Sequence, residues 1–190
     1  MKQTKRGFNL EIPEQPTPEL NEVFEWYLEN FQMVPNLPRV MSESPALLRS
    51  YWQVQQNLMQ MGILTPVENN VVQMSIAVEN TCRYCAAGHI MAGRMVFGSP
   101  EELMTSIIEG SEMSEKKMNA LRDFALEVYR ETGRVSDETF AAFKAAGYSN
   151  AQALDVVTNI STKVMSNFTN QLAQNELDEV LEPLATELNY

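Results

Sequence analysis

The sequence predicts an all-α fold of about eight helices with short connections. Three observations carry this. Apolar residues recur at helical spacing along most of the 190 residues. Ser/Thr-Pro pairs repeatedly precede these apolar stripes, which is a helix-start signal. No stretch alternates apolar and polar residues with period two, and neither Asn-Gly nor Asp-Gly occurs to turn a hairpin.

Residues 1–16 are polar and carry Pro13 and Pro16, so an extended arm is expected ahead of a single helical domain over 17–190. Thr17-Pro18-Glu19 opens a helix to about Gln32, with Leu20, Val23, Phe24, Tyr27, Leu28 and Phe31 on one stripe. Pro35 and Pro38 break it. Ser44-Pro45 opens a helix that Gly62 ends, and Thr65-Pro66 opens one through about Glu79. Ser99-Pro100 opens a short helix ending near Gly110. Ser114 is a weaker cap before Met118, Leu121, Phe124, Ala125 and Val128, and Gly133 stops that stripe. Ser136 starts another helix, closed by Gly147, and Ser149 a long one through about Gln174. Leu177, Val180, Leu181, Leu184 and Leu188 form a last helical stripe. Trp26, Tyr51 and Trp52 read as core or oligomer contacts.

Composition narrows the function. A formal charge of −11 argues against a nucleic-acid or anionic-membrane surface, both of which call for a basic patch. No run reaches the ~18 apolar residues of a membrane span, and the start lacks the apolar core of a secretory signal. A cytoplasmic protein is expected. Two cysteines three residues apart cannot staple a fold, so the pair reads as catalytic or metal-binding.

Both cysteines and the only histidine lie in Cys82-Arg83-Tyr84-Cys85-Ala86-Ala87-Gly88-His89. On a helix Cys82, Cys85 and His89 fall at i, i+3 and i+7, on one face. With Asn80 or Thr81 as cap, both thiols sit in a first turn whose free N–H groups favour thiolate. One thiolate can attack an oxidant to give a sulfenic acid, and its neighbour can condense with that to a disulfide. His89 can accept or relay a proton. Other readings stay open. Zinc would take Cys82, Cys85, His89 and a carboxylate such as Glu79, but no second Cys/His pair exists. Two inert buried thiols or a core histidine also fit. Tyr84 reads as packing, with its hydroxyl a candidate pocket group.

This stretch resembles the alkylhydroperoxidase D-like branch of the carboxymuconolactone decarboxylase superfamily, through its C-x-x-C-x-x-x-H pattern. The helix from Leu64-Thr65-Pro66-Val67-Glu68 to Ala77-Val78-Glu79-Asn80 looks like the one that leads into that motif. Asn167-Phe168-Thr169-Asn170-Gln171-Leu172, followed by Leu177-Asp178, looks like the ending of a longer clade. The family core maps to about 38–129. The resemblance implies an oligomeric thiol enzyme, an oxidoreductase that reduces hydroperoxides and is recycled by a dithiol protein or lipoyl-type donor. It implies Cys85 as the attacking thiol, Cys82 as the resolving one and His89 as the proton relay. The cofactor would be the redox-active Cys82–Cys85 disulfide itself, with no metal. Members that decarboxylate carboxymuconolactone lack the pair.

One position departs from the family pattern. The relay glutamate, twelve residues before the first cysteine, is here Asn70, which is no base near neutral pH. Glu79 lies on the opposite side of a continuous helix at about 100° per residue, and Glu68 is similarly misdirected. Only a kink before Cys82 would bring Glu79 in. Otherwise His89 works with water while Asn70 orients it. Two rival classes remain: a decarboxylase acting on a small organic acid, and a non-enzymatic oligomer that responds to redox state.

Overall fold

The computed structural model describes residues 2–190, and among them the all-α expectation holds. The helices are α1 (Pro18–Phe31), α2 (Asn36–Met41), α3 (Pro45–Met61), α4 (Pro66–Glu79), α5 (Arg83–Ala92), α6 (Glu101–Glu109), α7 (Lys116–Arg130), α8 (Asp137–Ala145), α9 (Asn150–Ala173) and α10 (Glu182–Ala185). A π-helical turn, Gly93–Phe97, extends α5, and a 3-10 turn, Glu179–Leu181, precedes α10. None of these helices is long and apolar enough to cross a membrane.

The start signals act as local chemistry dictates. Ser44 and Ser136 each accept a hydrogen bond from the third backbone N–H of their helix, and Thr65 and Ser149 form full capping boxes with Glu68 and Gln152. Two caps fall elsewhere than expected. Pro100 rather than Ser99 occupies the N-cap of α6, and Glu115 rather than Ser114 that of α7.

The prolines at 35 and 38 do more than end α1. Pro35 caps the short helix α2, and Pro38 lies in its first turn, where a missing N–H costs nothing. The last stripe is broken rather than continuous. Pro183 has no N–H to continue a helix from Leu177, and Asp178 is extended and engaged elsewhere. The arm expected over 1–16 begins at Met1, outside the described residues. From Lys2 on it folds back instead of extending: Thr4 N–H donates to Phe8 at 2.9 Å, and Leu10 is fully buried with Val40 and Ala173.

α4 is the centre of the molecule. It packs against α5, α6, α7 and α9, and Val71, Val72, Met74, Ile76 and Ala77 are fully buried. A helix buried on nearly every side carries no solvent stripe, so its polar residues all need partners. α3 packs on α1 and α9, where Trp26 and Trp52 meet edge to face at 6.4 Å, inside the chain's own core. Phe124, Phe143 and Tyr148 stack beneath α7 and α8.

Glu68 anchors the start of α4. Its carboxylate is 2% exposed, accepts from Lys117 Nζ at 2.8 Å and from Thr65 N–H at 2.9 Å. Burial pushes its pKa up, but the Lys117 and Thr65 hydrogen bonds outweigh burial and hold it below 4.5. A carboxylate depressed on folding contributes stability above its unfolded pKa and loses it as pH falls through the folded one. Urea unfolding across pH should therefore show wild type losing stability below 4.5, with the Glu68→Gln slope shallower there. Thr65→Ala should cost about 1 kcal/mol at neutral pH in the same assay.

Candidate active site

The turn between α4 and α5 sets the thiols. Asn80 is the C-cap of α4, and Thr81 turns left-handed with φ +48°. Cys82 N–H then donates back to Ala77 C=O at 2.9 Å, the six-to-one closure of a Schellman-type end. Cys82 itself is the N-cap of α5, and its carbonyl receives Ala86 N–H at 2.9 Å. Neither Asn80 nor Thr81 caps this helix, because Asn80 is committed across the core to Asn167 and Tyr129, each at 2.9 Å. Cys85 is thus the third helical residue and Cys82 lies just ahead of the helix. Both face its positive end, both are free thiols, and they are 3% and 5% exposed, Cys82 first.

The face of α9 opposite them is polar. Lys163, Ser166 and Asn170 repeat the i, i+3, i+7 spacing of Cys82, Cys85 and His89, and all three are buried. Asn170 Nδ2 donates to Cys85 Sγ at 3.2 Å, while Lys163 Nζ lies 2.8 Å from His89 Nε2. Residues ascending α5 thus meet residues descending α9, so the two helices run antiparallel at the site. Asn175 Nδ2 donates to Asn170 Oδ1 at 2.9 Å, which fixes the amide with its NH2 toward sulfur.

On the other side of the ring, Asn70 Oδ1 lies 2.9 Å from His89 Nδ1, and Asn70 Nδ2 donates to Ser99 Oγ at 3.1 Å. With its NH2 used on Ser99, Asn70 presents oxygen to the imidazole, so Nδ1 carries the hydrogen. Lys163 has only donors, so Nε2 accepts. His89 is a neutral Nδ1–H imidazole. Burial, and then the nearby positive charge of Lys163, hold its pKa well below the usual histidine range.

The two thiols are driven apart. Burial pushes Cys85 up, but the Cys82 hydrogen bond, the charge of Lys163 and the Asn170 and Ser166 hydrogen bonds bring it below an ordinary thiol. Cys82 moves up, through its hydrogen bond to Cys85 and then through burial. The site therefore favours thiolate at Cys85 and thiol at Cys82.

Of the residues singled out from sequence, Cys82, Cys85, His89 and Asn70 converge. Glu79 does not: it forms a bidentate pair with Arg130, both contacts 2.6 Å, on the outer side of α4. Glu68 stays with Lys117. Tyr84 is buried, donates its hydroxyl to Asp178 and accepts Leu37 N–H at 3.2 Å, so it ties the cysteine turn to α2 and the tail. Lys163, Ser166, Asn170 and Ser99 were not anticipated. A signal for those on α9 exists: Asn159, Lys163, Ser166 and Asn170 form a polar helical stripe inside a helix that also carries apolar residues outward. Among the described residues no cluster of three or more His, Cys, Asp or Glu is arranged to hold a metal. A surface cleft of about 720 Å³ beside α7 is lined by none of the site residues.

An all-helical domain burying a thiol–thiolate pair at a helix N-terminus, with an imidazole one turn on, defines a candidate dithiol redox protein. Residues 45–127 match the model of the carboxymuconolactone decarboxylase family, in line with the family resemblance read in the sequence. The fold extends beyond the matched segment. A peroxidase-related protein from Ralstonia eutropha JMP134, described as an alkylhydroperoxidase AhpD core, superposes with TM-score 0.82 at 17% identity, covering 94% of this chain and 95% of the other. A peroxidase-related protein from Silicibacter sp. TM1040 gives 0.76 at 18%, with the same coverages. The debrominase Bmp8 gives 0.70 at 17%, covering 93% and 95%. At these identities the likeness speaks for the fold alone. No curated protein matches the chain.

Gly93 lets Asn70 reach the ring. A Cβ there would stand 2.5 Å from Met104 Sδ and 2.8 Å from Asn70 Nδ2. Gly93→Ala should displace Asn70, cost about 1–3 kcal/mol in unfolding experiments, and slow thiol chemistry at Cys85. Unchanged stability and thiol reactivity would show that the contact yields freely.

Proposed function

We propose that this protein is a thiol-dependent hydroperoxide reductase working through Cys85 and Cys82. The single observation that carries this is the placement of two unpaired thiols at the start of α5, with Asn170 Nδ2 donating to Cys85 Sγ at 3.2 Å, an arrangement that draws Cys85 toward thiolate and leaves Cys82 a thiol. An attacking and a resolving thiol need that division. The peroxidase-related neighbours support the reading. The Cys85 thiolate attacks the terminal oxygen of the hydroperoxide. The O–O bond breaks, an alcohol leaves, and Cys85 becomes a sulfenic acid. Cys82 then displaces water and closes the disulfide. A dithiol donor returns the two electrons by exchange. His89, held between Asn70 and Lys163, keeps the pair's polar surroundings in register.

A decarboxylase would have no use for this thiolate, and neither would a purely structural role. The debrominase neighbour, a cysteine-to-alanine variant of which is described in complex with 2,3,4-tribromopyrrole, favours a second reading. Reductive removal of bromine takes the same two electrons from the same dithiol, releasing bromide and a protonated ring.

The outward face of α9 exposes Leu154, Val157, Phe168 and Leu172, which supports assembly into a homo-oligomer.

Peroxide consumption with dithiothreitol or a dihydrolipoyl donor tests the function. Wild type should turn over, Cys85→Ser should not, and Cys82→Ser, reduced and then freed of donor, should consume one equivalent and leave a sulfenic acid trappable at residue 85. Equal rates for wild type and Cys85→Ser would refute it. Debromination of a bromopyrrole without peroxide turnover would transfer the assignment to the second reading.

A further inference from the structure

Lys163 is 3% exposed, and its side-chain nitrogen meets an imidazole that holds no charge. A buried ammonium needs a compensating anion. Among the described residues, carboxylates on α4, on α9 and in the tail are engaged elsewhere. On α4, Glu68 pairs with Lys117 and Glu79 with Arg130. On α9 itself, Asp155 accepts the Leu64 amide at 3.3 Å. In the tail, Asp178 holds Asn36 N–H at 3.0 Å and the Tyr84 hydroxyl. Tyr51, Tyr84 and Tyr190 approach the thiols, and all three are held protonated, by burial first. The remaining anion is Cys85, whose sulfur also accepts from Asn170.

We propose that Lys163, rather than His89, is the charge partner of the Cys85 thiolate and the holder of its proton, with His89 and Asn70 as the frame that positions it. This deepens the dithiol reading and rests on it. The hydrogen bonding around the ring supports it, as does the shared α9 face that carries Lys163 beside His89 and Asn170 beside Cys85. Nε2 of His89 is already taken by Lys163, so it has no free lone pair for the Cys85 proton. Its Nδ1–H is likewise taken by Asn70. Lys163 carries the one mobile proton of the chain Ser99, Asn70, His89, Lys163.

The proton count then closes. The Cys85 thiolate attacks ROOH, the O–O bond breaks, and the RO⁻ released takes a proton from the Lys163 ammonium. Cys85 is oxidised to the sulfenic acid and Lys163 is left as an amine. Cys82-SH and Cys85-SOH condense to the disulfide and one water, the amine taking the Cys82 proton and passing it to the departing hydroxide. A dithiol donor reduces the disulfide and supplies two protons. One stays on Cys82, and the other restores the ammonium beside the Cys85 thiolate. The frame also accounts for Asn70. A carboxylate at that position favours imidazolium, which would aim an N–H at Lys163, donor against donor.

The test is pH-dependent alkylation of reduced protein, resolved at Cys85 by mass spectrometry, in wild type, Lys163→Gln, Lys163→Met and Lys163→Arg. No peroxide is involved, so failure here and failure of the peroxidase reading are told apart. Gln keeps a donor for His89 without the charge. Its Cys85 midpoint should rise by one pH unit or more, a tenfold change in the thiol–thiolate equilibrium constant. Arg should stay close to wild type. Should Met lose its helical circular dichroism, the Gln–Arg pair still reads the charge alone. A Gln midpoint equal to wild type overturns the proposal. So does an Arg midpoint as high as that of Gln in a folded variant.

Discussion

A neutral imidazole held between an amide oxygen and an ammonium constrains everything else at this site. Each hydrogen bond in the series sets the direction of the next. Ser99 takes the Asn70 NH2, so Asn70 turns its oxygen to His89. His89 then carries its proton on Nδ1 and offers Nε2 to Lys163. Reversing any one link leaves two donors or two acceptors facing each other in a largely buried region, where an unmet polar group costs about 1–3 kcal/mol. The order is therefore cooperative, and it places positive charge on α9 rather than on the imidazole. Charge there draws Cys85 toward thiolate, and that thiolate raises Cys82.

The scaffold serves this arrangement by surrounding it. α4 delivers Asn70 from a helix buried on nearly all sides, and the Schellman-type end of α4 delivers Cys82 and Cys85 to the positive end of α5. α9 delivers Lys163, Ser166 and Asn170 from one face. Tyr84, between the two cysteines, is pinned to Asp178 and the α2 backbone, so the thiol turn is tied to the tail as well as to the core. Gly93, in the π-helical turn that continues α5, leaves room for the Asn70 amide.

The parts legible in the sequence were those whose chemistry is local. Proline and hydroxyl caps marked most helix starts, and the i, i+3, i+7 register of Cys82, Cys85 and His89 needed no tertiary contact to be seen. Helical arithmetic also pointed Glu79 away from the site, and the structure binds it to Arg130 instead. What escaped was non-local. Lys163 is 74 residues from His89 and Asn170 is 85 from Cys85, so no spacing rule links them. The one available sign was a polar stripe on α9, which reads equally well as a solvated face until its packing is known. Local breakers misled in the other direction. Pro35 and Pro38 suggested a gap where α2 forms, and the apolar repeat after Leu177 masked the effect of Pro183.

His89 is the only histidine in the chain, so its imidazole gives a single, unambiguous nitrogen NMR signal set. Recording the ¹⁵N shifts of the reduced protein from about pH 5 to 8, across the ordinary histidine titration range, tests the account at its centre. The account predicts a neutral ring protonated at Nδ1 throughout, with no titration. An Nε2–H tautomer, or conversion to imidazolium near the free-histidine value of about 6.5, would contradict it.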